Sequence, residues 1–117
     1  MRLHLTRWVT TAILGAILPL TACASGGADA IDAGDIDGPH VVVEDNRFAP
    51  DDLEVKAAET VTWVWDGRAP HDVVGDGFDS GVQSDGTFEH RFTNPGTYTY
   101  ECTLHRGMTG EITVVEG

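Results

Sequence analysis

At 117 residues, with two cysteines and a formal charge of −12, the chain has room for one small domain and no framework of disulfides. Nineteen acidic residues against seven basic ones exclude nucleic acid and anionic lipid surfaces as partners and favour a basic partner or a salty medium. Twelve of the acids are aspartate and Lys56 is the single lysine, a balance that hints at salt adaptation.

The first stretch, 1–22, carries Arg2 and Arg7 ahead of the apolar run Trp8–Leu20. That run is shorter than the ~20 residues a helix needs to cross a bilayer, and its basic start and small-residue end are those of an export signal. "LTAC", Leu20 to Cys23, resembles the lipobox of bacterial and archaeal lipoproteins, which implies cleavage before Cys23 and lipidation of its sulfur. The mature chain is then expected to begin at Cys23, held at the outer face of a membrane by its acyl chains. Ala22–Ala24 also fits an ordinary small-x-small cleavage site, which would release a soluble secreted or periplasmic protein. Loss of 1–22 leaves 5 basic and 19 acidic residues, a balance of −14.

Residues 23–39 follow Cys23 with "ASGGADAIDAGDIDGP", which holds four aspartates and no aromatic residue. Such a segment cannot bury enough apolar surface to offset its ordering entropy, so a flexible, self-repelling tether is predicted. The folded domain is expected over 40–117. Cys102 is its lone cysteine, so no disulfide forms within it.

In that domain short β-type runs alternate with turn residues and no helical period is sustained. Strands are predicted at 40–45, 53–56, 60–65, 71–74, 87–92, 96–102 and 110–116, separated by "FAPDD", "DGRAP", "GDGFDSG", "SDG" and "TNPG". About seven strands at this spacing predict an antiparallel sandwich or barrel. Alternation turns Leu53, Val55, Val61, Trp63, Phe88, Phe92, Tyr98, Tyr100, Ile112 and Val114 inward, and Cys102 shares the parity of Tyr98 and Tyr100.

Beyond Cys102 the sequence "TLHRGMTG" loses alternation and carries Gly107 and Gly110. In such a turn, side chains three apart converge, so Cys102, His105 and Met108 share a centre. Thiolate, imidazole and thioether are a soft set that suits copper and not Mg²⁺ or Ca²⁺; zinc would take a stronger fourth ligand than methionine. A trigonal copper site needs a second histidine from elsewhere. His4 goes with the signal, His40 sits at the tether junction, and His90 lies mid-strand between phenylalanines, where packing is as good an account as ligation. His71 follows the loop "DGRAP" at one end of the predicted sandwich, where sites gather.

With "FAP", "LEV", "VTW", "HDVV" and "FTNPGTYTYECTLHRGMTGEITV" in this order, 40–117 resembles the cupredoxins, the type 1 blue copper proteins of the plastocyanin/azurin family. The short loop between Cys102 and Met108 is most like that of the amicyanins, and the halocyanins share the lipobox, acidic balance and linker. The resemblance implies an all-β Greek-key sandwich of about seven to eight strands and one copper ion held by His71, Cys102, His105 and, axially, Met108. It also implies an electron carrier rather than an enzyme, docking transiently near His105 with a cytochrome, oxidase or dehydrogenase, as a monomer. Ala69, Pro70, Leu104 and Met108 are the expected contact patch. Copper storage or delivery in the cell envelope is the alternative; a metal-free interaction module is a third. Three positions depart from the family pattern: Ala58 where glycine is common before "VTW", Trp65 where asparagine is common, with no ligand contact expected, and Asp72 in place of asparagine, expected to accept from Thr103.

Overall fold

The computed structural model describes residues 36–117 together with Gly15 and Gly34. The expected export signal, Cys23 and most of the expected tether lie outside the described residues. Nine strands form among the described residues: β1 (His40–Val43), β2 (Phe48–Ala49), β3 (Asp52–Lys56), β4 (Thr60–Trp65), β5 (Val74–Gly75), β6 (Phe78–Asp79), β7 (Thr87–Arg91), β8 (Gly96–Glu101) and β9 (Thr109–Val115). They make one sheet in the order β2-β1-β4-β7 and another in the order β3-β9-β8-β5-β6. The inner faces share one core, in which Val41, Val43, Val61 and Trp63 of the first sheet meet Val55, Tyr100, Ile112 and Val114 of the second. This is the expected sandwich.

The antiparallel expectation needs one correction. β1 pairs with β4 in parallel, and β3 pairs with β9 in parallel. Side chains alternate with period two whichever way a neighbour runs, so an alternating sequence carries no sign of direction. A parallel pair needs a long crossover, and residues 44–59, with β2 and β3, supply it between β1 and β4.

Alternation does assign the faces. β9 reads as a clean period of two, with Gly110, Ile112 and Val114 buried. Val55, Val61, Trp63, Phe92 and Tyr100 are buried as predicted, while Leu53, Phe88 and Tyr98 pack partly buried at the margin. β4 departs from the pattern, because Thr62 and Val64 on its other face are buried too. Trp63 Nε1 and the Tyr100 hydroxyl are buried without a hydrogen-bond partner. Burial pushes the Tyr100 phenol up to about 12, although the neighbouring Trp63 indole opposes the rise.

The turn joining β3 to β4 carries the expected strain. Glu59 N–H donates to the Lys56 carbonyl at 3.1 Å, and Ala58 has a φ of 76°, the pattern of a type II turn that favours glycine at its third position. Ala58 is exposed, so its methyl contributes no packing. A left-handed alanine costs ~1–2 kcal/mol, and a glycine there would lose ~0.4–1 kcal/mol through the greater freedom of the unfolded chain. Ala58→Gly is therefore expected to stabilise the domain by about 0.5–1 kcal/mol, read as a higher urea midpoint at unchanged slope.

Candidate metal centre

Cys102 continues the inward parity of β8 by one residue and is 2% exposed. The chain then turns back at once. Cys102 N–H donates to the Met108 carbonyl at 2.9 Å, and Met108 N–H donates to the His105 carbonyl at 3.3 Å. Gly107 has a φ of 82° at the third position of the inner turn, which a side chain would strain. These backbone bonds hold Cys102, His105 and Met108 in one small loop. Met108 is buried.

His71 arrives from the other sheet's connection. The predicted strand 71–74 shrinks to β5, and His71 instead forms a lone antiparallel bridge with Gln83. His71 N–H donates to the Gln83 carbonyl and Gln83 N–H returns to the His71 carbonyl, each at 3.0 Å. The Trp65 indole N–H donates to the same His71 carbonyl at 3.2 Å. With its backbone fixed from two sides, His71 is fully buried.

The side chains then meet. Cys102 Sγ lies 3.7 Å from His71 Nδ1 and 3.4 Å from His105 Nδ1. The ligating atoms of the three residues all lie within 4.8 Å of one another. The imidazole rings are 4.5 Å apart between centroids. A metal holding sulfur at about 2.3 Å and nitrogen at about 2.0 Å, with a bond angle between tetrahedral and trigonal, separates the two donors by roughly 3.5–3.7 Å. The donor set fits a metal of that size. His40 and His90 stand apart from it: His90 stacks on Phe78 at 4.7 Å, and burial lowers its pKa.

Residues 40–115 match the family of copper binding proteins described as plastocyanin/azurin. The chain belongs to this family. Amicyanin-alpha of Methylorubrum extorquens is 31% identical over 111 residues, covering 88% of this chain and 93% of the relative. Plastocyanin of Scenedesmus fuscus is 35% identical over 83 residues, covering 57% and 85%. Among solved structures, a purple cupredoxin from Nitrosopumilus maritimus superposes with a TM-score of 0.60 at 26% identity, covering 66% of this chain and 99% of that one.

Around the centre, Asp72 does what its position suggested. Its carboxylate accepts from Thr103 N–H at 2.7 Å and from the Thr103 hydroxyl at 2.5 Å, stapling the residue after His71 to the residue after Cys102. Trp65 overturns the expectation that it touches no ligand residue, because its indole holds the His71 backbone. Met108, expected in a surface patch, is withdrawn from it by burial. Leu104 is 47% exposed beside half-buried His105, and Val82, unforeseen, is 59% exposed beside Gln83.

The residue that sequence reasoning missed altogether is Asp45. Its Oδ1 accepts from Arg68 N–H at 2.6 Å and Ala69 N–H at 2.9 Å, and lies 3.4 Å from His71 Nε2. The two backbone donors, Ala69 foremost, hold the Asp45 carboxyl below its usual range. A span of 26 residues separates it from His71, and no spacing rule connects the two. Only the parallel register of β1 and β4, which sets Val43 against Trp65, brings the chain after one strand beside the chain after the other.

Proposed function

We propose that this chain is a type 1 blue copper protein that carries single electrons between redox partners outside the cytoplasm, tethered to a membrane through lipidated Cys23. His71, Cys102 and His105 would hold the copper through two imidazoles and a thiolate, and Met108 would add a weak thioether. The observation that carries the reading is the pair of sulfur–nitrogen separations, 3.7 and 3.4 Å, at a buried thiol between two imidazoles. Copper supplies the one-electron Cu(I)/Cu(II) couple, and this donor set serves both oxidation states tolerably.

The protein's share is to keep the donors from rearranging. Cys102 is anchored at the end of β8, His71 is clamped by Gln83 and Trp65, and Asp72 ties the two loops together. Burial of His71, Cys102 and Met108 keeps water from the centre. Four ligands leave no open position for a substrate, which fits a carrier and not an enzyme. Half-buried His105 is the route for the electron, with Leu104, Ala69 and Pro70 around it. The acidic surface steers a basic partner, such as a cytochrome, oxidase or dehydrogenase, into brief contact with a monomer. The motif at Leu20–Cys23 supports the anchor.

Cu(II) added to the purified protein is expected to give an intense blue band that ascorbate bleaches and an oxidant restores, with copper retained against a chelator. Copper that binds without that colour, or leaves readily to the chelator, would move the reading to storage or delivery. Asp72→Asn removes a negative charge next to His71 while keeping an oxygen for Thr103. Its reduction potential should rise by roughly 20–60 mV, a two- to tenfold shift towards Cu(I), measured by voltammetry; an unchanged potential would remove Asp72 from the tuning of the site.

A further inference from the structure

The carboxylate of Asp45 is placed in a way that a loop tie alone does not need. One oxygen, Oδ1, receives two backbone N–H groups from the loop before His71 and also faces the outer nitrogen of the His71 ring. Arg68 and Ala69 would be served equally by a neutral acceptor. His71 Nε2 is the further demand. His71 is fully buried, and an imidazole N–H left there without an acceptor is costly. Asp45 supplies that acceptor. A neutral imidazole carries one proton, so a proton held on Nε2 leaves the lone pair on Nδ1, the atom 3.7 Å from Cys102 Sγ.

Gly67 is the second observation. A Cβ on Gly67 would overlap Asp45 Oδ1 and stand 2.8 Å from its Cγ. The absence of a side chain at 67 is what lets the carboxylate enter the loop. The parallel register explains the meeting: Val43 faces Trp65, and two residues further on Asp45 comes against Gly67. The arrangement is therefore built from two strands and one glycine, and not from a chance surface contact.

We infer that Asp45 is a positioning residue of the metal centre, which fixes the ring of His71 with Nδ1 presented to the metal and biases the site towards Cu(II) with its negative charge. The second part rests on the copper reading above; the first does not. The carboxylate acts one imidazole ring away from the metal, through a hydrogen bond that raises the electron density of the ligand. Gly67 is the permissive partner. Asp45 also anchors Arg68 and Ala69, so the loop that carries Pro70 towards the surface is set by the same oxygen.

The test uses the full chain and two variants, Asp45→Asn and Gly67→Ala, with the double variant. Asparagine keeps an oxygen for Arg68 and Ala69, and the Asp45 side chain is half exposed, so both single variants are expected to fold. In the metal-free protein at about pH 8, above the ordinary imidazole range, nitrogen NMR of His71 should show the proton on Nε2 in the wild type and in Asp45→Asn, whose amide oxygen still accepts it, and a mixed population in Gly67→Ala, whose methyl displaces that oxygen. In the copper-loaded protein the blue band should persist, and Asp45→Asn, which removes the charge, should favour Cu(I) by roughly tenfold, about 59 mV upward for one electron. The double variant should show both changes, the mixed tautomer population of Gly67→Ala and the raised potential of Asp45→Asn.

An unchanged tautomer population in Gly67→Ala overturns the positioning role, even if the potential moves. An unchanged potential in Asp45→Asn overturns the charge effect. A wild type that binds copper without colour defeats the electron-carrier reading and leaves the metal-free NMR to decide the role of Asp45 on its own.

Discussion

Cys102→Ala is expected to leave a folded protein that stays colourless with Cu(II). Cys102 is almost fully buried and sits at the end of β8 without helping to pair it, so loss of one sulfur atom opens a small cavity costing about 1–2 kcal/mol. The loss at the centre is far larger. The thiolate is the only anionic member of the proposed ligand set and the source of the sulfur-to-copper transition. Changes to residues that merely support ligands cost 10–100-fold in metal affinity, so removal of this one should cost at least ~100-fold. His71 and His105 would remain as two neutral donors 4.5 Å apart between ring centroids, a pair able to hold copper weakly and without intense colour. Copper titration followed in the visible and by a competing chelator reads both effects. An intense blue band surviving in Cys102→Ala would falsify the assignment of the thiolate. Met108→Leu makes the contrasting case: an axial thioether contributes little to affinity, so the band should shift in position and persist in strength.

What the sequence discloses is the part of the molecule governed by local rules. The run Gly110, Ile112, Val114 declares the inward face of β9, and Tyr98, Tyr100 and Cys102 that of β8, because a half-buried strand must alternate. The short loop declares Cys102, His105 and Met108 for a similar reason: their spacing and the glycine at 107 are local. His71 required elimination among five histidines; the structure groups it with Cys102 and His105, while His90, in a phenylalanine-rich strand, stacks on Phe78. β2 and β6 escaped because two residues carry no period, although Phe48 and Phe78 each bury a ring within them.

Long-range relations were invisible. Nothing in an alternating strand shows whether its neighbour runs parallel, so the crossing of β1 onto β4 could not be read. With it went Asp45, whose role depends on that register. Trp65 was misjudged for a related reason. It is an inward residue at the end of β4, and its indole reaches a backbone carbonyl six residues on, a contact set by how the loop folds back and not by the residue's type. Burial of Met108, and so its absence from the surface around His105, likewise follows from the backbone bond between Cys102 and Met108.

Trp63→Ala should produce the largest loss of stability of any single change in the domain. Trp63 is fully buried, and its ring lies 5.6 Å from Phe88 and 6.4 Å from Phe92 on its own side. It also lies 5.8 Å from Phe78 and 5.3 Å from Tyr100 across the sandwich. Truncating such a residue costs ~3–5 kcal/mol, against roughly 4–12 kcal/mol for a folded unit of this size. The metal-free variant should therefore be close to unfolding at 37 °C. Copper that binds the native state far more tightly than the unfolded chain adds up to about 4 kcal/mol when free metal exceeds the dissociation constant a thousandfold, so the loaded variant should remain folded and blue. Trp63→Phe separates the causes, because phenylalanine keeps most of the ring contacts and removes an indole N–H that, beyond a weak interaction with the Tyr100 hydroxyl, has no partner, a group whose burial costs ~1–3 kcal/mol when unsatisfied. Its net loss should be about 1 kcal/mol. Denaturant midpoints of both variants, with and without copper, check this. A Trp63→Ala protein within 1 kcal/mol of wild type would mean that the two sheets are held chiefly by contacts away from this ring, and that the rigidity of the metal centre does not come from the aromatic cluster beneath Tyr100.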